Sequence, residues 1–160
     1  RDGRIMASWK LTSIAGTESD ITTVSGTTTN ISKTITYDGS TETTIKTTAI
    51  TGFTTQTNTS TSIYTFSMTL GKHGVASYTY TPAPDSYTGS GTWQWAGDSK
   101  NRDVVTFSWD GSGSMFNGSF NIDELKHKEM IFKVSTQTTS DQSPQTETTS
   151  TQYTYTFTRQ

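Results

Sequence analysis

Apolar residues in this chain recur at every second position almost throughout. In SIYTFSMTL, residues 62–70, Tyr64, Phe66, Met68 and Leu70 share one face while Ile63, Thr65, Ser67 and Thr69 take the other. Period two is the mark of a half-buried antiparallel strand, because successive side chains of an extended chain point to opposite faces. VASYTYT at 75–81 repeats the pattern after a GKHG turn, and the two runs read as a hairpin. GTWQWAGD at 91–98 sets Trp93 and Trp95 on one face. VVTFSWD aligns Val105, Phe107 and Trp109, MFNGSFNI aligns Phe116, Phe120 and Ile122, EMIFKV aligns Met130, Phe132 and Val134, and TQYTYTFTR aligns Tyr153, Tyr155 and Phe157. The breaks between runs are turn text: PAPD at 82–85, GDSKN at 97–101 and DGSGS at 110–114.

The first third is less regular. SWKLTSI offers Trp9 and Leu11 on one face, and ISKTITYDGSTETTIKTTAI reads as two strands about an Asp38-Gly39 turn. Residues of about 16–30 and 52–60 read equally as loop or as ragged edge strand. Helical periodicity is confined to IDELKHKEM at 122–130, where Ile122 and Leu125 fit at most a single turn or a 3₁₀ piece.

About eight to ten short strands joined by turns predict an all-β chain with little or no helix, folded as an antiparallel meander. Closing such a sheet into an up-and-down barrel removes its edges. It also explains the composition. Hydrophobic residues are only 29% and charged residues 16% of the chain, and roughly a quarter is Thr. In a barrel only the inward positions need be apolar, and Thr suits the outer pleated face. A net charge of -2 and 11% aromatics argue against disorder. One domain spanning 1–160 is expected, with a Thr-rich stretch at about 17–60 that either adds strands to the sheet or extends from it.

Charge and chemistry narrow the function mainly by exclusion. A pI near 5.6 with no basic cluster leaves no footprint for nucleic acid. Without cysteine there is no disulfide, thiolate metal site or Cys nucleophile. The two histidines, His73 and His127, fall in predicted turns, away from any nucleophile or further ligand. Asp38, Ser40 and Glu42 alternate around a glycine without the spacing of a calcium loop, and a plain turn accounts for them. Asn30, Asn58 and Asn117 open Asn-x-Ser texts that matter only in a eukaryotic secretory setting. No metal, cofactor or catalytic residue is expected.

The order of landmarks is more specific than any one of them. SWKLTSI at 8–14, YTFSMTLGKHGVASYTY at 64–80, GTWQWAGD at 91–98, FNIDELKHKEMIFKV at 120–134 and YTYTFTR at 153–159 follow one another as they do in the lipocalin-like domains of Bacteroidetes lipoproteins, which the chain resembles over most of its length. Members often place Gly before the first Trp, where this chain has Ala7-Ser8. The resemblance implies an extracytoplasmic setting, in the periplasm or at the cell surface, with membrane attachment only through a lipid anchor upstream of residue 1.

The expected function is therefore non-enzymatic binding of a small apolar or amphipathic ligand inside the barrel by a monomer or weak dimer. Tyr64, Phe66, Trp93, Trp95, Phe107 and Trp109 are the expected wall residues. Equal weight goes to the same aromatics serving purely as core, in which case the alternative function is a structural or adhesive surface module with a solid barrel.

Overall fold

The computed structural model describes residues 2–96, 103–110 and 115–160. A short helix, α1 (Asp2–Ile5), leads into ten strands: β1 (Ser8–Val24), β2 (Thr27–Tyr37), β3 (Thr41–Ile50), β4 (Gln56–Leu70), β5 (Val75–Pro82), β6 (Tyr87–Trp95), β7 (Val104–Trp109), β8 (Gly118–Leu125), β9 (Glu129–Gln142) and β10 (Gln145–Arg159). Each strand pairs antiparallel with its sequence neighbours, and β10 returns to β1, closing an up-and-down barrel. This is the all-β architecture that the alternation predicts. The GDSKN turn and the glycines of DGSGS lie outside the described residues.

The barrel is not uniform along its axis. At the end where β1 begins, Ser8, Trp9 and Lys10 pair with Thr69, Met68 and Ser67 of β4, so eight strands close the ring. Further along, the β2–β3 hairpin is wedged between β1 and β4, held at its turn by Tyr64 N donating to the Ser40 carbonyl (2.9 Å). Beyond Tyr64↔Pro82 and Asn121↔Lys133 only β4, β3, β2, β1, β10 and β9 continue among the described residues, so this second end is wide and open on one side. The Thr-rich text of residues 17–60 forms wall: of the segments whose pattern is ambiguous, 16–24 lie in β1, 27–30 in β2 and 56–60 in β4, with turns between them. They read as ragged because at the wide end both faces of the wall meet water.

Two bulges explain where simple alternation fails. The β1–β10 register shifts between Leu11 and Ser13, so Trp9 and Leu11 face inward and Ile14, of the opposite parity, does so too. A second shift between Ile122 and Glu124 turns both Ile122 and Leu125 into the core. The three-residue spacing that suggests a helical turn at 122–130 is therefore a β-bulge followed by the β8–β9 turn, because an extra residue in one strand flips the facing of all that follow.

The eight-stranded part is filled. Trp9, Phe66, Phe107, Phe116, Phe132 and Phe157 are fully buried, and neighbouring rings stand at packing distances: Phe66–Phe116 at 5.0 Å, Phe132–Phe157 at 5.1 Å, Phe107–Phe132 at 5.9 Å. Phe116 reaches this cluster from the loop before β8 and acts as a plug. Three indole N–H groups tie the ends of the barrel to its core: Trp9 donates to Ile5 O (2.8 Å), Trp93 to Gly71 O (2.9 Å) and Trp109 to Phe116 O. Each bond satisfies a polar atom that would otherwise be buried without a partner, at a cost of about 1–3 kcal/mol. Together they fix α1, the β4–β5 turn and the plug.

Candidate functional site

The six aromatics expected as pocket wall occupy two kinds of position. Tyr64, Phe66, Phe107 and Trp109 lie in the packed interior, where Trp109 meets the edge of Tyr78 (5.0 Å) and stacks with Phe107 (5.8 Å). Trp93 and Trp95 do share the inner face of β6 and contact each other edge-on at 6.0 Å. They sit at the narrow end, where Trp95 is half-buried. With Met6 and the Lys72–Gly74 turn they border a hollow of about 710 Å³. That hollow is bounded by one strand and one turn, so a ligand there is held from one side only.

The more enclosing cleft is at the wide end, with a volume of about 540 Å³. Antiparallel register builds its wall in three rows across β10, β1, β2, β3 and β4. The deepest runs Tyr155, Ile14, Tyr37, Glu42, Ser62; the next Tyr153, Gly16, Ile35, Thr44, Ser60; the outermost Thr151, Glu18, Lys33, Lys46, Asn58. Those on β10, β1, β2 and β4 face inward because each lies an even number of residues from a core position on its own strand, and Glu42, Thr44 and Lys46 of β3 share that face because they stand directly opposite Tyr37, Ile35 and Lys33. Tyr155, set edge-on against the Phe116 plug at 5.0 Å, forms the floor with buried Ile14 and Ile35, and Met115 adds a side. Tyr153 lies flat over Gly16, whose missing side chain makes room for the ring, and stacks on Tyr155 at 5.5 Å. The cleft therefore has an apolar, aromatic floor and a charged rim.

Hydrogen bonds lock the tyrosines. Tyr153 donates to Glu18 Oε1 (2.5 Å), and Lys33 Nζ reaches Glu18 Oε2 (2.7 Å). These two bonds hold the Glu18 carboxyl below its usual range. Tyr64 donates to Glu42 Oε2 (2.7 Å), and Tyr37 donates to the Tyr64 carbonyl (3.0 Å) while stacking on its ring at 4.8 Å. Burial, reinforced by nearby carboxylates, pushes Tyr37 and Tyr155 up to about 12. Tyr64 and Tyr153 are raised for the same reason, with their donated bonds adding to it. All four phenols are thus neutral at ordinary pH, and Tyr37, Tyr64 and Tyr153 donate to fixed acceptors. Lys46 stands opposite Lys33 in the ladder, an arrangement of like charges that weakens a sheet and is tolerated here beside Glu18.

The two histidines and the Asp38 turn stand apart from the tyrosine floor. His73 is at the β4–β5 turn with a positive φ of 57°, and His127 is exposed beside Arg159. Asp38 Oδ1 accepts bonds from Ser40 N, Ser40 Oγ and Thr41 N, a closed turn motif with its oxygen already used. Among the described residues no three His, Cys, Asp or Glu side chains converge as metal ligands.

The alternation places Tyr153 and Tyr155 on one face without marking them as site residues; Glu18, Lys33 and Lys46 carry no sequence motif, and Glu42 reads only as part of the Asp38-Gly39 turn. The signal is there: Lys33 shares parity with Ile35 and Tyr37, and Glu18 with Gly16 and Ile14. Charged residues continuing an inward stripe mark where a barrel's core ends and its mouth begins. Set against family models, curated proteins and solved structures, the chain matches none.

Proposed function

We propose that the protein is a non-enzymatic binding protein that holds a small amphipathic ligand in the wide mouth of its barrel. The observation that carries this reading is the cleft of about 540 Å³ whose floor is Tyr153, Tyr155, Ile14 and Ile35 and whose rim presents carboxylates and ammonium groups together. Such a volume lies within the range of small-molecule sites, and an apolar base with a few convergent polar groups is their usual chemistry. The apolar portion of the ligand rests on the tyrosine floor, and its polar end meets Glu42, Lys33 and Lys46. This moves the site from the expected interior to the layer above it. The extracytoplasmic, lipid-anchored setting implied by the family resemblance belongs to the same proposal, and a lipobox cysteine encoded upstream of residue 1 is its test.

Native mass spectrometry of protein purified from its own host tests the binding function. A co-purifying small molecule is expected, lost in Ser60→Trp, which fills the mouth, and kept in Phe66→Leu, which alters only the core. An adduct that survives Ser60→Trp and disappears with Phe66→Leu contradicts the assignment.

A second reading has its own support. Phe53, at the tip of the β3–β4 connection, is 75% exposed, and Val24, beside the β1–β2 turn, is 41% exposed. Thr51 N donates to Thr28 O (3.0 Å), which brings the β3–β4 loop to the same end of the wall. Apolar side chains on loop tips suit a surface module that adheres to a protein or glycan. Adhesion by the wild type that is lost in Phe53→Ser supports this second reading, and absence of adhesion by the wild type favours the first.

A further inference from the structure

The upper wall leaves strand edges without partners. β9 pairs with β8 only as far as Asn121↔Lys133, and among the described residues Val134–Gln142 pairs with β10 alone. Every residue from Ser135 to Gln142 is exposed. On the opposite side of the gap, among the described residues, 56–62 of β4 pair with β3 alone, since β5 joins β4 at Tyr64↔Pro82. An unpaired edge presents a row of backbone N–H and C=O groups that another strand can complete. Natural sheets blunt such edges with lysine, proline or a bulge. STQTTSDQ, residues 135–142, carries none of these: its one charge is Asp141, and its register with β10 runs unbroken to Gln142↔Gln145.

We propose that this β9 edge pairs antiparallel with the same edge of a second copy, giving a two-fold symmetric dimer joined by a continuous sheet. The edge is self-complementary. Two-fold symmetry requires paired residues to lie on the same face, and a pairing centred on Thr138 meets that condition. It sets Thr138 opposite its own copy, Gln137 opposite Thr139, Thr136 opposite Ser140 and Asp141 opposite Ser135. No like charges meet, and the chain's net charge of -2 adds little repulsion between copies. The rungs formed are of a kind the protein already uses: Thr138 and Thr149 hydroxyls meet at 2.6 Å, Thr139 and Thr148 at 3.3 Å, Thr47 and Thr57 at 3.3 Å. A closed, isologous contact also ends association at two copies, where pairing β9 to the β4 edge of a neighbour would propagate into a filament.

Sedimentation velocity over a concentration series tests the dimer on the full chain. Wild type is expected to shift from monomer to dimer as concentration rises. In Gln137→Lys/Thr139→Lys the new charges face one another across the two-fold axis on the convex side, and the dimer dissociation constant rises roughly tenfold or more with an unchanged circular dichroism spectrum. Thr59→Lys, on the β4 edge, leaves association as it was. The chain has no cysteine, so a Thr138→Cys variant that oxidises to a covalent dimer reports that position directly: directly opposed strand residues stand about 4.5–5.5 Å apart at Cα, within disulfide reach. The proposal is overturned if wild type stays monomeric up to ~1 mM. It is equally overturned if the β9 lysines leave association intact, if Thr59→Lys abolishes it, or if Thr138→Cys fails to cross-link.

Discussion

Replacing Phe116 with alanine tests whether the barrel below the mouth is solid. The ring is 1% exposed and lies 5.0 Å from Phe66, 5.0 Å from Tyr155, 5.3 Å from Phe157 and 5.7 Å from Phe120. Alanine keeps the backbone carbonyl that accepts from Trp109, so the loop retains its anchor and the change is one of volume. Removing the ring leaves a void on the order of 100 Å³, and at ~24 cal/mol per Å³ the void alone costs about 2 kcal/mol. Adding the lost transfer of the ring from water brings the total to about 3–5 kcal/mol. For a chain of this length that is a fall in Tm of about 6–20 °C. Urea unfolding followed by tryptophan emission measures the loss, and the variant should gain the capacity to take up benzene or xenon that wild type lacks, since a dry apolar void binds such probes. A loss below about 1 kcal/mol, with wild type already binding the probes, would refute a packed interior.

Further consequences follow from the same packing and charge. Gly91→Ala sets a methyl group against the Ser108 carbonyl and Trp109 Cα, both backbone, so β6 and β7 must separate; a loss of about 1–3 kcal/mol in chemical denaturation is expected. Gly16→Ala displaces the Tyr153 ring instead, so its larger effect should be on the mouth, visible as altered near-ultraviolet tyrosine signals with a smaller loss of stability. Glu18 has a folded-state pKa below its ordinary 4.5, so its contribution is present above that value and disappears as pH falls through the lower folded one. With the carboxylate partly exposed, Glu18→Gln should cost less than about 1 kcal/mol at pH 7, and the gap from wild type should close in acid. Tyr37 and Tyr155 are raised from 10.0 to about 12, so the stability they lend is full below pH 10 and is lost as pH climbs through 12; ultraviolet titration should show a class of phenols ionising there, after the exposed ones.

The period-two stripes made the barrel and most of its core legible, since half-buried strands repeat a local geometry that a sequence records directly. Ile122 and Leu125 were misleading because a bulge changes parity without altering composition, and Ile14 was hidden by the same device in β1. The alternation aligns Phe116 with Phe120 and Ile122 as if on one strand, yet its ring fills the lumen from the loop before β8, which nothing local tells. That depends on the distance across the barrel. The mouth was harder still. Its members come from β10, β1, β2, β3 and β4, separated by more than a hundred residues in the case of Glu18 and Tyr153, and only register brings them into one row. The widening that opens the cleft comes from inserting the β2–β3 hairpin between β1 and β4, a topological fact with no short-range signature.

Ligand uptake at the wide end, over a solid core, distinguishes this barrel from one that binds in its lumen. Amide and methyl NMR spectra recorded during titration with dodecylphosphocholine, kept below micelle formation, test it most directly. Saturable shifts centred on Ile14, Ile35, Lys33, Tyr153 and Tyr155 are the predicted result, with Phe66, Phe107 and Trp109 unmoved. Shifts confined to those interior rings, with the tyrosine floor silent, would contradict it.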